Sequence, residues 1–132
     1  MKENLTMIQF FHWYYPADGS LWKHFKSESK KIAELGINMA WLPPATKTDQ
    51  GANGVGYQPY DLFDLGEFDQ KGSVRTKYGT KDELVAAVKE ALSHGIIPLA
   101  DAVLNHKAGA DEPEPVMACK VNPDNRTEEI CE

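Results

Sequence analysis

Short apolar runs alternate with longer amphipathic segments along this chain. Residues 7–13, 37–42 and 96–104 are runs of apolar, β-branched and aromatic side chains, which predict three strands. Between them, apolar residues recur at helical spacing in segments that begin near residues 20 and 80, which predicts two helices. The resulting βαβαβ order predicts an α/β fold with a parallel sheet and right-handed crossovers.

The two predicted helices carry start and stop signals. Ser20 can cap the first helix, and Gly36 stands where that helix should end. Thr80 and Glu83 have the spacing of a capping box at the start of the second helix. The apolar faces that we expect to be buried are Trp22, Phe25, Ile32 and Ala33 on the first helix and Leu84, Val85, Val88 and Leu92 on the second.

Residues 45–79 form a segment too long for a plain connection, and loops of this length are usually functional or locally structured. Gly54 and Gly56 lack the third glycine and the Lys-Ser/Thr pair of a phosphate loop, so we expect no nucleotide site. Aromatic rings stack on sugar faces while carboxylates accept hydroxyl hydrogen bonds, which makes Tyr57 a candidate sugar platform. Tyr60 and Phe63 are equally well explained as packing the loop.

Asp101, Asn105 and His106 gather near the end of the third predicted strand. Polar side chains at the carboxyl ends of buried parallel strands are where α/β barrels build their sites. Strand alternation would point Asp101 and Asn105 to one face. Because a buried unpaired carboxylate is costly, we expect Asp101 to have a cationic or hydrogen-bonding partner. Each of the three residues also has a purely structural interpretation: a core ion pair, a turn hydrogen bond and a surface histidine.

The length and the net charge of the chain argue against several classes of protein. The 132 residues are enough for one modest domain but not for a closed eight-unit barrel, which takes about 250 residues. The net charge of −6, without a basic stripe, argues against a nucleic-acid partner. Without a secretory leader or a membrane-length apolar run, we expect no membrane association and a cytoplasmic location. In that compartment, reduced thiols at Cys119 and Cys131 are favoured over a disulfide.

Five segments in order along the chain resemble the α-amylase family of glycoside hydrolases, in particular the amino-terminal part of bacterial α-amylases of the liquefying and cytoplasmic type. They are residues 9–14, 36–45, 56–68, 71–80 and 101–111. Residues 101–106 are similar to the family's first signature region, with Ala102 where valine is usual. The resemblance implies a partial TIM (β/α)8 barrel. Residues 1–106 would supply its first three β/α units with parallel strands, and residues 107–132 would begin an inserted second domain.

The same resemblance implies roles for the residues that match. Tyr57 would stack on the sugar just before the cleaved bond, His106 would hydrogen-bond a hydroxyl of that sugar, and Asp101 would hold the architecture of the site. Asn105 would give one oxygen ligand to a structural calcium ion. The family's nucleophile and acid/base lie on its fourth and fifth strands, so this chain would contain no catalytic residue. The carboxylates of the long segment match no catalytic position: Asp61, Asp64, Glu67 and Asp69.

We therefore expect the amino-terminal part of an α-amylase, inactive by itself, that binds α-glucan or maltooligosaccharide. The parent enzyme would hydrolyse internal α-1,4-glucosidic bonds of starch- or glycogen-type glucans with retention, using calcium. Two alternatives stay open: a non-catalytic glucan-binding or scaffold protein, and a small α/β domain without a sugar function. The first and third strands would be open edges, which favours self-association.

Overall fold

The structure is a computed structural model that describes residues 4–130. Its elements follow the predicted alternation, with two additional short strands inside the long loop. In chain order they are β1 (Met7–Gln9), α1 (Leu21–Glu34), β2 (Met39–Leu42), β3 (Lys47–Thr48), β4 (Pro59–Asp61), α2 (Lys81–Ser93) and β5 (Ile97–Ala100). A 3-10 turn, Gly51–Asn53, lies between β3 and β4.

The main sheet has three strands in the order β1-β2-β5, and both pairings are parallel. This confirms the predicted parallel α/β arrangement. The strands are shorter than predicted, because β1 ends at Gln9 and β5 ends at Ala100. Asp101 therefore follows its strand instead of lying in the middle of it, and the strand alternation invoked for Asp101 and Asn105 does not apply.

Helix α1 packs its predicted face into the core. Trp22, Phe25 and Ile32 are buried, and Ala33 is half-buried against them. Ser20 occupies the N-cap position, but its side chain makes no capping hydrogen bond, so that prediction was wrong. The Ser20 hydroxyl oxygen lies instead 3.2 Å from the Tyr15 hydroxyl.

Helix α2 begins with the predicted capping box. The Thr80 amide donates to Glu83 Oε2 over 2.9 Å, and the Glu83 amide donates back to the Thr80 hydroxyl. The buried face of this helix was predicted wrongly. Ala87 and Ala91 are fully buried, whereas Leu92 is 56% exposed. The two alanines let α2 approach the core closely, and the larger side chains turn outward. Leu84 is only half-buried. Together with Val88 and Leu92 it lines an apolar cleft of about 380 Å³ beside β5.

The 45–79 loop is locally structured, as predicted. Strands β3 and β4 pair antiparallel, and isolated bridges join Gln70 to Ser73 and Thr76 to Gly79. Its interior is largely polar: Lys47, Thr48, Asp64 and Thr76 are all buried. The loop is thus a second folded layer at one end of the sheet and not a flexible connection.

Residues 107–130 are almost entirely exposed and contain no helix or extended strand. Val121 and Glu129 form one antiparallel bridge, and the Ile130 amide donates to the Lys120 carbonyl over 2.6 Å. Cys119 is disulfide-bonded, which contradicts the expectation of a reduced thiol; Cys131 lies outside the described residues. Neither helix in residues 4–130 is long and apolar enough to cross a membrane.

Candidate functional site

The structure brings Asp101 and Tyr57 together at the carboxyl end of the sheet. The Tyr57 hydroxyl donates to Asp101 Oδ2 over 2.8 Å, and the indole N–H of Trp41 donates to the same oxygen over 3.2 Å. The expectation that Asp101 needs a polar partner is confirmed, and the partners are two neutral donors instead of a cation. Trp41 can reach Asp101 because β2 and β5 are adjacent and their ends are in register.

The Tyr57 hydroxyl stays protonated far into the alkaline range. Burial first, and then its hydrogen bond to Asp101, raise the pKa of Tyr57 to about 12. A phenolate at this position would face the Asp101 carboxylate at hydrogen-bonding distance. Tyr57 is consequently fixed as a donor, and its ring is held in one orientation above the end of β5.

His106 approaches Tyr57 from the other side. His106 Nε2 lies 2.9 Å from the Tyr57 carbonyl oxygen, which can only accept, so Nε2 carries a proton. His106 Nδ1 lies 3.3 Å from the side-chain nitrogen Nδ2 of Asn105, which can only donate. The contacts fit Nε2 as the donor and Nδ1 as the acceptor. The three residues predicted to form the sugar site, Tyr57, Asp101 and His106, thus form one cluster, with Asn105 beside it.

This cluster also contains two tryptophans that were not predicted from the sequence. Trp13 lies parallel to Tyr57, with the ring planes 7° apart and the centroids separated by 6.0 Å. Trp41, described above, donates to Asp101. Trp13 was assigned to the first strand, but β1 ends before it, which frees its indole to reach Tyr57. The available signal was the aromatic composition of this segment, where Tyr14 and Tyr15 follow Trp13 directly.

Three carboxylates of the long loop, Asp61, Asp64 and Glu67, have structural partners. Asp61 accepts from the Phe63 amide and from Gln70 Nε2, each over 2.9 Å. Asp64 is buried in an ion pair with Lys47, and Glu67 pairs with Lys81 on the surface. These acids are therefore engaged in shaping the loop.

A second cluster joins the long loop to the segment that follows His106. The Tyr60 hydroxyl donates to Asp111 Oδ2 over 2.7 Å, and Lys71 Nζ lies 2.9 Å from Asp111 Oδ1 and 4.1 Å from the centroid of the Tyr60 ring. The hydrogen bond from Tyr60, followed by that from Lys71, lowers the pKa of Asp111. Tyr60 thus anchors the segment, while Phe63, the other aromatic expected to pack the loop, is 87% exposed.

Comparison with known proteins identifies the relationship. The chain is 52% identical to the cytoplasmic alpha-amylase of Escherichia coli (strain K12), over 98% of this chain and 27% of that enzyme. It is 51% identical to the alpha-amylase of Bacillus licheniformis, over 96% of this chain and 25% of that enzyme. The chain matches the amino-terminal part of bacterial α-amylases. It is also 50% identical to a glucan 1,4-alpha-maltohexaosidase of Bacillus sp. (strain 707), over 96% of this chain and 24% of that enzyme.

The chain spans about a quarter of the length of these α-amylases. No protein-family model matches it. Among solved structures, it is similar to alternansucrase in complex with isomaltononaose, with a TM-score of 0.62 and 24% identity over 75% of this chain and 9% of that one. A truncated alternansucrase from Leuconostoc mesenteroides NRRL B-1355 gives a TM-score of 0.55 at the same identity, over 67% and 8%. These structural similarities support the α/β fold with parallel strands.

Proposed function

We propose that this chain is the amino-terminal part of an α-amylase that hydrolyses internal α-1,4-glucosidic bonds of starch- or glycogen-type glucans with retention. The observation that carries the proposal is about 50% identity to several bacterial α-amylases across nearly the whole chain. The name of one relative, a glucan 1,4-alpha-maltohexaosidase, specifies the glucan linkage. The three parallel strands with their two helices would then be the first units of a TIM-type barrel, and residues 107–132 would begin an inserted domain.

Within this proposal, Tyr57, Asp101 and His106 form part of a binding site for maltooligosaccharide. Tyr57 supplies an aromatic ring for stacking on a pyranose, and its bond to Asp101 fixes that ring. His106 has both ring nitrogens engaged within the protein, so it binds a sugar hydroxyl by exchanging its contact with Asn105. Asp101 organises the site because it accepts from both Tyr57 and Trp41.

We also propose that the chain alone does not hydrolyse glucan. Retaining glycosidases need two carboxyl groups about 5–5.5 Å apart, one as nucleophile and one as acid/base. Asp61, Asp64 and Glu67 of the long loop are engaged in structural contacts. The whole enzyme would supply the catalytic pair from strands beyond β5.

Calcium is proposed as a ligand of the whole enzyme, with Asn105 as one oxygen donor. The Asn105 side chain is exposed, and a side-chain amide oxygen is a ligand type that calcium accepts. Calcium takes about six to eight oxygens. Among residues 4–130, no three His, Cys, Asp or Glu side chains come together as a metal site. Asn105 fits the ion as a single donor, and the other ligands would come from the rest of the enzyme.

Location and assembly follow from the same proposal. The name of the Escherichia coli relative supports a cytoplasmic location, whereas the disulfide at Cys119 is more typical of oxidising compartments. Cell fractionation distinguishes the two. The edge strands β1 and β5 favour self-association of the isolated chain. Sedimentation over a hundredfold range of concentration tests this, because a constant monomer mass contradicts it.

Calorimetric titration with maltoheptaose tests the sugar site. We expect the chain to bind, Tyr57→Ala to weaken binding about tenfold, and Tyr14→Ala to leave it unchanged. Tyr14 is a matched control because it is 87% exposed. Absence of binding by the unmodified chain contradicts the sugar site and favours a small α/β domain without a sugar function. Release of reducing ends from starch by the pure chain contradicts the claim that it is inactive.

A further inference from the structure

A lysine and an aspartate are completely buried inside the 45–79 loop. Lys47 Nζ lies 3.3 Å from Asp64 Oδ2, and neither side chain has exposed surface. Burial of an ion pair contributes little net stability, because desolvation of the two charges offsets their attraction. Net stability therefore does not explain why this pair is buried.

The Lys47 ammonium binds two separate stretches of backbone. Lys47 Nζ donates to the carbonyl oxygens of Ser73 over 2.5 Å, Val74 over 2.7 Å and Phe68 over 3.0 Å. An ammonium has three protons, so these three carbonyls satisfy it completely. The cation thus fixes both ends of the turn that the Gln70 and Ser73 bridge closes.

The Asp64 carboxylate organises the chain on the opposite side of the cation. Its Oδ1 accepts from the amides of Gly66 over 2.8 Å and Glu67 over 2.9 Å, while Oδ2 faces Lys47 and Gln70. The Asp64 carbonyl also accepts from the Lys47 amide over 2.7 Å. The backbone from residue 64 to residue 74 is thereby wrapped around one buried pair of opposite charges.

The pair is connected to Tyr57 through the pairing of β3 with β4. Lys47 begins β3, which pairs with β4, and the pairing extends to a hydrogen bond from the Asp49 amide to the Gln58 carbonyl over 3.2 Å. Gln58 follows Tyr57 in the chain. The strand that Lys47 anchors therefore holds the backbone next to Tyr57, about ten residues from the charged pair.

We propose that Lys47 is a positioning residue that holds the Tyr57 ring in its sugar-binding orientation through the loop wrapped around Lys47 and Asp64. The inference rests on the proposed function, because the readout is glucan binding. The buried charges act here by selecting one conformation of a glycine-rich segment. An apolar pair of similar volume would stabilise the chain equally well without specifying that conformation.

Two variants distinguish a positioning role of Lys47 from a contribution to the stability of the chain. Lys47→Met removes the charge and keeps the length, and Lys47→Met/Asp64→Leu removes both charges from the buried site. The readouts are the maltoheptaose Kd, the NMR shifts of the Tyr57 ring protons, which lie beside Trp13, and the urea midpoint of unfolding. Lys30→Met, a change of an exposed lysine on α1, is the matched control.

We expect Lys47→Met to weaken maltoheptaose binding at least tenfold and to shift the Tyr57 ring signals. We expect the double variant to have the urea midpoint of the unmodified chain. Its maltoheptaose binding and its Tyr57 ring shifts should stay altered. Wild-type Kd and ring shifts in Lys47→Met overturn the proposal. Recovery of binding and shifts together with stability in the double variant also overturns it, because the pair is then purely structural.

The proposed function and this inference fail in distinguishable ways. If the unmodified chain does not bind maltoheptaose, the sugar site fails, and the Tyr57 ring shifts alone decide whether Lys47 positions the ring. If Lys47→Met does not fold, the double variant decides, since it carries no unpaired buried charge. Altered ring shifts in that folded double variant support the inference, and unchanged shifts overturn it.

Discussion

The helix-sheet core and the 45–79 loop are held together by different kinds of interaction. In the core, apolar side chains such as Trp22, Phe25 and Ile32 are removed from water between α1 and the sheet. In the loop, the buried groups include Lys47 and Asp64, and hydrogen bonds to the backbone define the conformation. Apolar burial therefore provides the bulk of the stability, whereas buried polar contacts define the conformation of the loop. Substitutions in each layer should therefore have different signatures.

The largest expected effect is in the apolar layer. Phe25→Ala removes a fully buried ring that packs against Phe10 with centroids 5.0 Å apart. We expect the free energy of unfolding to fall by about 3–5 kcal/mol, measured by urea denaturation. Tyr14→Ala, which removes an exposed ring, should change it by less than about 0.5 kcal/mol. An equal loss in both variants would show that the core does not dominate stability.

The next effect is in the polar layer. Asp64→Asn leaves the Lys47 ammonium buried without its counter-charge, and breaking such a pair costs about 3 kcal/mol or more. We expect the loss to be local first, so that hydrogen exchange accelerates at the Gly66 and Glu67 amides before it does in β2. Uniform acceleration across loop and sheet would contradict the separation of the two layers.

Removal of one capping group should have a smaller effect. Thr80→Ala deletes the side-chain acceptor of the capping box of α2, which we expect to cost about 1 kcal/mol in urea denaturation. Ser20→Ala, at the corresponding position of α1, should cost less because Ser20 makes no capping bond. The reverse order would contradict the cap geometry described here.

The smallest effect is the alkaline pH dependence of the site. The pKa of Tyr57 is raised from 10.0 to about 12 in the folded chain, so the folded state keeps this proton to higher pH than the unfolded state. Its contribution is fully present below pH 10 and is lost as the pH rises toward 12. Tyr78, with its pKa also raised by burial to about 12, has the same sign. Unfolding measured between pH 9 and pH 11 should depend less on pH in Tyr57→Phe than in the unmodified chain.

Periodic patterns in the sequence predicted the apolar layer well. The order of strands and helices, the α1 face and the capping box of α2 are all confirmed, because each follows from local spacing. The α2 face was wrong because small alanines at positions 87 and 91 approach the core more closely than larger residues can. No local pattern encodes that preference, which depends on how near the neighbouring helix lies.

The site was predictable only in part. Tyr57, Asp101 and His106 were singled out and do meet, since two of them follow a strand end and the third belongs to the adjacent loop. Trp13 and Trp41 were missed because their roles depend on where β1 ends and on the register of β2 with β5. The buried Lys47 was missed because a charged residue in a polar loop gives no sign of burial.

The most direct test of the account is an amide proton–nitrogen NMR titration of the chain with maltoheptaose. We expect dispersed signals and shifts confined to the neighbourhood of Tyr57, Asp101 and His106, with the signals of α1 unmoved. Dispersed signals that do not respond to the sugar, or shifts centred elsewhere on the molecule, would contradict the assignment of this cluster as the glucan site.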